Sequence, residues 1–147
     1  MSPDTPAPQT TAAWTLLFAA WLLAALSTLG ALFFGEVMQL PICNLCWYQR
    51  ICMFPLALIL PFGLFPFDVR VVRHTLPLAI TGGLIALFHQ LLVAGVIPES
   101  IKPCVQGVPC SETVARWFGF VTIPLLSVAS FAAIIFLLIL THLRGSR

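Results

Sequence analysis

Four long, mostly apolar runs dominate the pattern of hydrophobic and polar positions along the chain. They cover residues 13–34, 47–67, 75–97 and 118–141. Each is close to the roughly 20 residues that a helix needs to cross the hydrocarbon core of a bilayer. A membrane barrel would instead show alternating segments of about ten residues. Because a chain in lipid must satisfy its own backbone hydrogen bonds, the runs predict four membrane-spanning helices.

The segments around these runs are short. Residues 1–12 form a tail rich in Pro, Thr and Ala, which we expect to be mobile, and residues 13–147 form the membrane domain. The loops on the outer side are predicted at 35–46 and 98–117. The first run is too long for the apolar part of a signal peptide and lacks a basic segment before it, so we expect it to be retained as a helix.

The composition supports a membrane protein. Of the 147 residues, 60% are hydrophobic and only 8% are charged, whereas about 25% of the residues in an ordinary soluble domain are charged. Seven basic and five acidic side chains cannot cover a water-soluble globule. The composition therefore argues against a soluble enzyme and a disordered chain, and a net charge of +2 gives no nucleic-acid-binding face. The predicted fold is an all-α, integral membrane four-helix bundle.

Basic residues near the ends of the runs predict the orientation of the bundle. The short segment at 68–74 and the tail after the fourth run carry two arginines each, whereas the longer loop at 98–117 carries one lysine and one arginine. Positive charge in short loops favours the cytoplasmic side of a membrane. Both termini are therefore predicted in the cytoplasm, and the loops at 35–46 and 98–117 outside it.

Five cysteines supply the candidate chemistry. Four of them, Cys43, Cys46, Cys104 and Cys110, lie on the predicted outer side of the membrane, where disulfides persist. Cys52 lies inside the second run, and we expect it to be a small buried hydrophobic residue. The convergence of two cysteine pairs on one side of the membrane is the most informative feature of the sequence.

The first pair forms a Cys-x-x-Cys motif at the predicted start of the second helix. Pro41 suits a first helical turn, which puts Cys43 where exposed amides and the helix dipole favour a thiolate. With about 3.6 residues per turn, Cys43, Cys46 and Arg50 share one helix face, and Arg50 lies about 6 Å deeper than Cys46. A permanent positive charge there stabilises a thiolate and attracts an electron-rich ligand oxygen.

The second pair, Cys104 and Cys110, encloses five residues. Closing so short a loop stabilises a fold by about 2–2.5 kcal/mol, so the spacing fits a labile, exchange-competent disulfide as well as a structural one. Redox chemistry, two structural disulfides and a four-cysteine zinc site all remain open on spacing alone. His89, inside the third run, is either a packing residue or a functional one, because ionisable residues in a span are functional candidates by default.

The residues around the first pair carry a family resemblance. Leu-Pro-Ile-Cys-Asn-Leu-Cys-Trp-Tyr-Gln-Arg at 40–50 resembles the signature of the DsbB family of membrane thiol–quinone oxidoreductases, in the form of its BdbC branch. The four spans, the cysteine pair after the third span and Val-Thr-Ile-Pro-Leu-Leu at 121–126 are also similar to that family. The resemblance covers nearly the whole chain beyond the tail.

The resemblance implies a function, a cofactor and partners. Such a protein reoxidises a DsbA-like protein of thioredoxin fold outside the bacterial cytoplasmic membrane, and it passes the electrons to a membrane quinone, either ubiquinone or menaquinone. The membrane lipid and its quinone pool are the other partners, and neither a metal nor a nucleic acid is expected. A non-catalytic membrane module and a scaffold that carries electrons in the opposite direction are the alternatives.

The same resemblance implies the roles of individual residues. Cys43 and Cys46 are implied to be the catalytic pair next to the quinone. Cys104 and Cys110 are implied to be the catalytic pair next to the partner protein. Contact with the quinone is implied for Cys46, for Arg50, which lies four residues after it, and for His89 in the third span. The role of Cys104 as the first cysteine that the partner protein attacks is implied by the family resemblance alone.

Overall fold

Each of the four apolar runs folds into a helix in the computed structural model, which describes residues 8–39, 42–97, 116–117 and 121–145. The helices are α1 (Pro8–Leu32), α2 (Asn44–Ile59), α3 (Val71–Val93) and α4 (Ile123–Gly145). Together with the short turns that extend the first two, all four are long and apolar enough to cross a membrane. The predicted all-α, four-helix architecture is confirmed.

Short elements extend or connect the helices. A π-helical turn at Phe33–Val37 continues α1, and a 3-10 turn at Leu60–Gly63 continues α2. Before α4, the two-residue strands β1 (Arg116–Trp117) and β2 (Val121–Thr122) pair in an antiparallel ladder. This ladder leads directly into the first turn of α4.

The helix boundaries differ from those predicted from the sequence. The first three helices begin three to five residues before the apolar runs, at Pro8, Asn44 and Val71. Hydropathy marks the residues that contact lipid, whereas helical hydrogen bonding continues into the polar flanks. Residues 8–12 of the expected tail therefore belong to α1, and residues 1–7 lie outside the described part of the chain. The fourth helix begins five residues later than predicted, because Val121 and Thr122 pair in a strand instead.

The core lies where the four helices meet. Helix α1 packs against α2 and α4, and α3 packs against the same two helices. Leu17, Leu56 and Phe131 are fully buried at the centre. Cys52 joins this core with 6% of its surface exposed, which confirms the prediction of a small buried residue. Large apolar side chains around the outside remain exposed, as a lipid-facing surface requires.

Small residues on α3 permit close packing against α4. Ala79, Gly82 and Ala86 are buried along one face of α3. A Cβ atom at Gly82 would lie only 2.3 Å from Cε1 of Phe131. The absence of a side chain at this position therefore sets how closely the two helices approach.

The helix order gathers both ends of the described chain at one end of the bundle. A Cβ atom at Gly145, the last residue of α4, would lie 2.8 Å from Cγ2 of Val69 and 3.8 Å from Cβ of Ala13. Trp14 lies at the same end, where its Nε1–H donates to the carbonyl of Leu64 at 3.4 Å. The opposite end of the bundle contains the start of α2, the end of α3 and the start of α4.

Candidate functional site

Cys43 caps the N-terminus of α2. Its backbone is extended, with φ −76° and ψ 162°, and its Sγ accepts a hydrogen bond from the backbone N–H of Cys46 at 3.3 Å. Exposed amides and the helix dipole favour negative charge at this position. The predicted location of Cys43 at the start of the second helix is confirmed.

The sulfur atoms of Cys43 and Cys46 lie 2.8 Å apart, and both residues are free cysteines. Cys43 is buried and precedes the second span, whereas Cys46 is partly exposed. The hydrogen bond from the Cys46 thiol holds the pKa of Cys43 well below its ordinary value, burial opposes this effect, and a hydrogen bond from His89 lowers the pKa further. The two residues are therefore placed as a dithiol, the reduced form of a disulfide, in which the surroundings of Cys43 favour its thiolate.

His89 lies against Cys43 from α3. Only 3% of the histidine is exposed, and its Nε2 lies 3.8 Å from Sγ of Cys43. Its Nδ1 lies 3.0 Å from the amide nitrogen of Gln49 on α2. The structure thus brings the histidine of the third span to the first cysteine pair, on the side of Cys43.

The same three side chains form a set of potential metal ligands. The ligand atoms of Cys43, Cys46 and His89 all lie within 4.8 Å of one another. Two thiolates and an imidazole are donors that Zn²⁺ and Cu⁺ accept in proteins. Formation of a disulfide removes both thiolates, so this arrangement supports either redox exchange or metal binding at a given moment.

Arg50 extends from α2 towards the end of α1. Its guanidinium donates to the backbone carbonyl of Ala31 and lies 5.5 Å from the centre of the Trp47 ring. The side chain is 8% exposed, and its charge acts electrostatically on Cys46. Within the described part of the chain, its partners are thus a carbonyl and an aromatic ring rather than a carboxylate. The positive charge remains available to an electron-rich ligand near Cys46.

Two neutral polar residues, Gln49 and Ser127, join the site without having been predicted as site residues. The Ser127 hydroxyl on α4 donates to Oε1 of Gln49 at 2.6 Å, and Gln49 is buried. The available signal in the sequence is a neutral polar side chain inside or beside an apolar run, since such side chains form hydrogen bonds between helices in membranes.

The second cysteine pair, Cys104 and Cys110, lies outside the described residues. The described part of the connection before α4 is the ladder of β1 and β2. Thr122, in β2, donates its hydroxyl to Oε1 of Gln90 on α3 at 3.4 Å. The end of this connection is therefore attached to the same end of the bundle as the first cysteine pair.

Comparison with known proteins identifies similar chains over most of the sequence. The family model described as "Disulfide bond formation protein DsbB" matches residues 11–143. The chain is 45% identical over 131 residues to "Disulfide bond formation protein C" of Bacillus subtilis (strain 168), which covers 89% of this chain and 94% of that protein. It is 46% identical over 132 residues to a "Probable disulfide formation protein" of Metapseudomonas resinovorans, with 89% and 92% covered. No solved structure matches the chain.

Proposed function

The chain belongs to the DsbB family of disulfide bond formation proteins, and from this membership we propose that it is a thiol–quinone oxidoreductase of the bacterial cytoplasmic membrane. It reoxidises a DsbA-like extracytoplasmic thiol oxidase and passes the two electrons to ubiquinone or menaquinone, which sustains disulfide formation in exported proteins. The observation that carries this proposal is the 2.8 Å separation of the Cys43 and Cys46 sulfurs at the start of a membrane-spanning helix.

Both cysteine pairs lie on the extracytoplasmic side in this proposal, and both termini lie in the cytoplasm. The packing of Gly145 near Ala13 and Val69 supports it, because the two ends of the described chain share one end of the bundle with the connection between α2 and α3. That connection and the C-terminal tail carry four of the seven basic residues. Their concentration favours the cytoplasm for this end.

A series of disulfide exchanges carries electrons inwards, from the partner protein to the first cysteine pair. A thiolate of the reduced partner attacks Cys104 of a Cys104–Cys110 disulfide, so that a bond forms between the partner and Cys104 while Cys110 leaves as a thiolate. Cys110 then attacks Cys43 of a Cys43–Cys46 disulfide, and Cys46 leaves with the electron pair of the broken bond. The second thiolate of the partner resolves the mixed disulfide with Cys104, either before or after the attack on Cys43, and the partner departs oxidised. The released Cys104 thiolate then attacks Cys110 of the Cys43–Cys110 bond, which re-forms the Cys104–Cys110 disulfide and releases Cys43 as a thiolate.

The residues around the first pair fit a quinone. Arg50 offers a guanidinium without a carboxylate partner among the described residues, and the adjacent Trp47 ring is 50% exposed. Cys46 is the more exposed residue of the pair and the one on which the charge of Arg50 acts. In this proposal Cys46 and Arg50 bind and orient the quinone oxygen, and Cys43 bonds to Cys46 as two electrons and two protons leave the dithiol.

A bound quinone supplies the two-electron acceptor, which becomes the quinol. The partner protein must regain a strongly oxidising disulfide, with a potential around −120 mV in DsbA. The glutathione poise is too reducing to accept electrons from such a couple. A membrane quinone pool is a sufficient acceptor, and a site that opens to the lipid at Cys46 and Trp47 gives access to it.

Quinone reduction in lipid nanodiscs, driven by a reduced DsbA-like protein, tests the proposed function. Cys46→Ser removes the sulfur on which the charge of Arg50 acts and should abolish turnover. Cys52→Ser makes the same substitution six residues further along the same helix, in the core, and should retain turnover. Undiminished quinone reduction by Cys46→Ser would contradict the assignment.

A non-catalytic zinc site is the second candidate, because Cys43, Cys46 and His89 bring their ligand atoms within 4.8 Å of one another. Such a module holds stoichiometric metal and protects its thiols from modification. The oxidoreductase instead changes its number of free thiols when quinone is added under reducing conditions. Intact-mass measurement after thiol trapping, together with elemental analysis of the purified protein, distinguishes the two.

A further inference from the structure

We propose that Gln49 and Ser127 are positioning residues for the redox pair, because they fix the proton of His89 on Nε2, where it faces the sulfur of Cys43. The inference rests on the proposed function, since it assigns these two residues a role in disulfide exchange at Cys43. The evidence is a chain of side-chain hydrogen bonds that runs from α4 through α2 to α3 and ends at Cys43.

The first bond of the chain orients the amide of Gln49. The Ser127 hydroxyl donates to Oε1 of Gln49 at 2.6 Å. With its oxygen occupied by Ser127, the amide presents its nitrogen to the other side, towards His89. Gln49 is only 8% exposed, so water has little access to compete for either end of the amide.

The second bond selects the tautomer of His89. The amide nitrogen of Gln49 lies 3.0 Å from Nδ1 of the ring. An amide NH₂ group is a donor only, so Nδ1 must accept and cannot carry a proton. A neutral imidazole then carries its proton on Nε2, and this atom lies 3.8 Å from Sγ of Cys43. The N–H of His89 is therefore directed at the sulfur.

An N–H directed at Cys43 favours the states in which this sulfur is negatively charged. Cys43 carries that charge when its thiol is deprotonated and when an exchange step releases it as a leaving group. A hydrogen bond to a charged acceptor in a buried site is stronger than one between neutral groups. The opposite tautomer would direct the lone pair of Nε2 at the sulfur and would disfavour the same states.

The charges around Cys43 are consistent with this role. Cys46, from the first turn of α2, and His89, from α3, are the titratable groups that lie against Cys43, with Sγ of Cys46 at 2.8 Å and Nε2 of His89 at 3.8 Å from its sulfur. Helix α4 contributes the neutral Ser127 through Gln49. Arg50 acts on Cys46 instead. Helix α4 therefore acts on Cys43 through the tautomer of His89.

Ser127→Ala in the full-length, reduced protein tests the inference. Without the hydroxyl, the amide of Gln49 is free to turn its oxygen towards Nδ1, which moves the proton away from Nε2. We expect the pH midpoint of Cys43 alkylation, resolved by fragment mass spectrometry, to rise by about 0.3 to 1 pH unit. We also expect kcat for quinone reduction to fall about two- to tenfold, with the KM for quinone unchanged within about twofold.

Two matched variants separate positioning from simple packing. Ser127→Thr keeps the hydroxyl and should restore the wild-type midpoint and kcat. Ser130→Ala makes the same substitution three residues further along α4, outside the hydrogen-bond chain, and should resemble the wild type. Gln49→Met, which keeps a similar volume but removes both bonds, should change the midpoint in the same direction as Ser127→Ala.

The outcomes distinguish this inference from the proposed function. If Ser127→Ala and Gln49→Met both keep the wild-type midpoint of Cys43 alkylation, the inference is wrong, whatever the turnover. If Ser127→Thr fails to restore the midpoint, the hydroxyl is not the responsible group, and the inference is also wrong. If the wild-type protein reduces no quinone, the proposed function is wrong. The alkylation measurements still decide whether the hydrogen bonds from Ser127 through Gln49 and His89 affect the protonation of Cys43.

Discussion

A Cβ atom at Gly35 would lie 2.8 Å from Nη2 of Arg50. The glycine belongs to the π-helical turn at Phe33–Val37, and the arginine reaches it from α2. The guanidinium thus occupies the space that a side chain at position 35 would fill, while it donates to the carbonyl of Ala31. The end of α1 therefore holds the guanidinium of Arg50 and determines where its charge lies relative to Cys46.

Gly35→Ala should displace the guanidinium of Arg50 and weaken quinone binding. A charge-assisted hydrogen bond contributes more than a neutral one, so we expect the apparent KM for quinone to rise about fivefold or more. Steady-state kinetics at varied quinone concentration measure this change. Gly30→Ala, on the same helix with no atom within 4 Å of the added Cβ, is the matched control and should leave KM unchanged.

Substitution of Arg50 itself should act on the quinone and not on the partner protein. Arg50→Ala removes the charge, and Arg50→Lys keeps it but loses the planar group that lies over the Trp47 ring. We expect the apparent KM for quinone to rise in both variants, and more in the alanine variant. The KM for the reduced partner protein should stay near the wild-type value. A change confined to the partner's KM would show that the role assigned to Arg50 is wrong.

The number and order of the helices could be predicted from the sequence, because hydropathy directly reflects which residues meet lipid. The π-helical turn at Phe33–Val37 could not be predicted, since its apolar residues fit any type of helix. Gly35 acquires its importance only through that turn and its approach to Arg50. The sequence shows neither the turn nor the direction in which the arginine extends.

The candidate site was predictable as far as it is local. The position of Cys43 at the N-terminus of α2 depends only on residues close to it in the sequence, so the local motif predicts it. The contacts from Cys43 to His89 and from Ser127 to Gln49 join residues 46 and 78 positions apart. They depend on the rotation of α3 and α4 relative to α2, and side-chain packing across the core determines this rotation.

Gly82→Ala should destabilise the bundle. The added Cβ would lie 2.3 Å from Cε1 of Phe131, and the buried ring has little room to move. Overpacking of this kind typically costs about 1–3 kcal/mol, which thermal unfolding in detergent measures as a lower Tm. Gly83→Ala should destabilise the bundle less, because its added Cβ would lie 3.3 Å from the nearest atom, Cδ1 of Ile135. Phe131→Leu combined with Gly82→Ala should recover part of the loss, and a failure to do so would argue against this contact as the cause.

Loss of the thiol at Cys46 should move the titration of Cys43 to higher pH. The Cys46 thiol is the largest contributor to the lowered pKa of Cys43. The lowered pKa gives the reduced fold a stabilisation that is complete above the ordinary pKa of a thiol and is lost as the pH falls through the lowered value. Cys46→Ala should therefore shift Cys43 alkylation to higher pH, whereas Cys46→Ser, whose hydroxyl still donates, should shift it less. Identical curves for the two variants would contradict a hydrogen bond from position 46.

The two ends of the bundle should react differently with a membrane-impermeant maleimide. His74 is exposed near the start of α3, at the end of the bundle that holds Val69 and Gly145, whereas Cys104 follows the end of α3 that holds His89. In spheroplasts of a variant without other cysteines, Cys104 should react directly, and a cysteine introduced by His74→Cys should react only after the membrane is made permeable. The histidine substitution removes neither lysine nor arginine, so the charge difference that orients the protein is preserved. Direct labelling at position 74 would place the termini outside the cytoplasm, and labelling of both positions from the same side would show that α3 does not span the membrane.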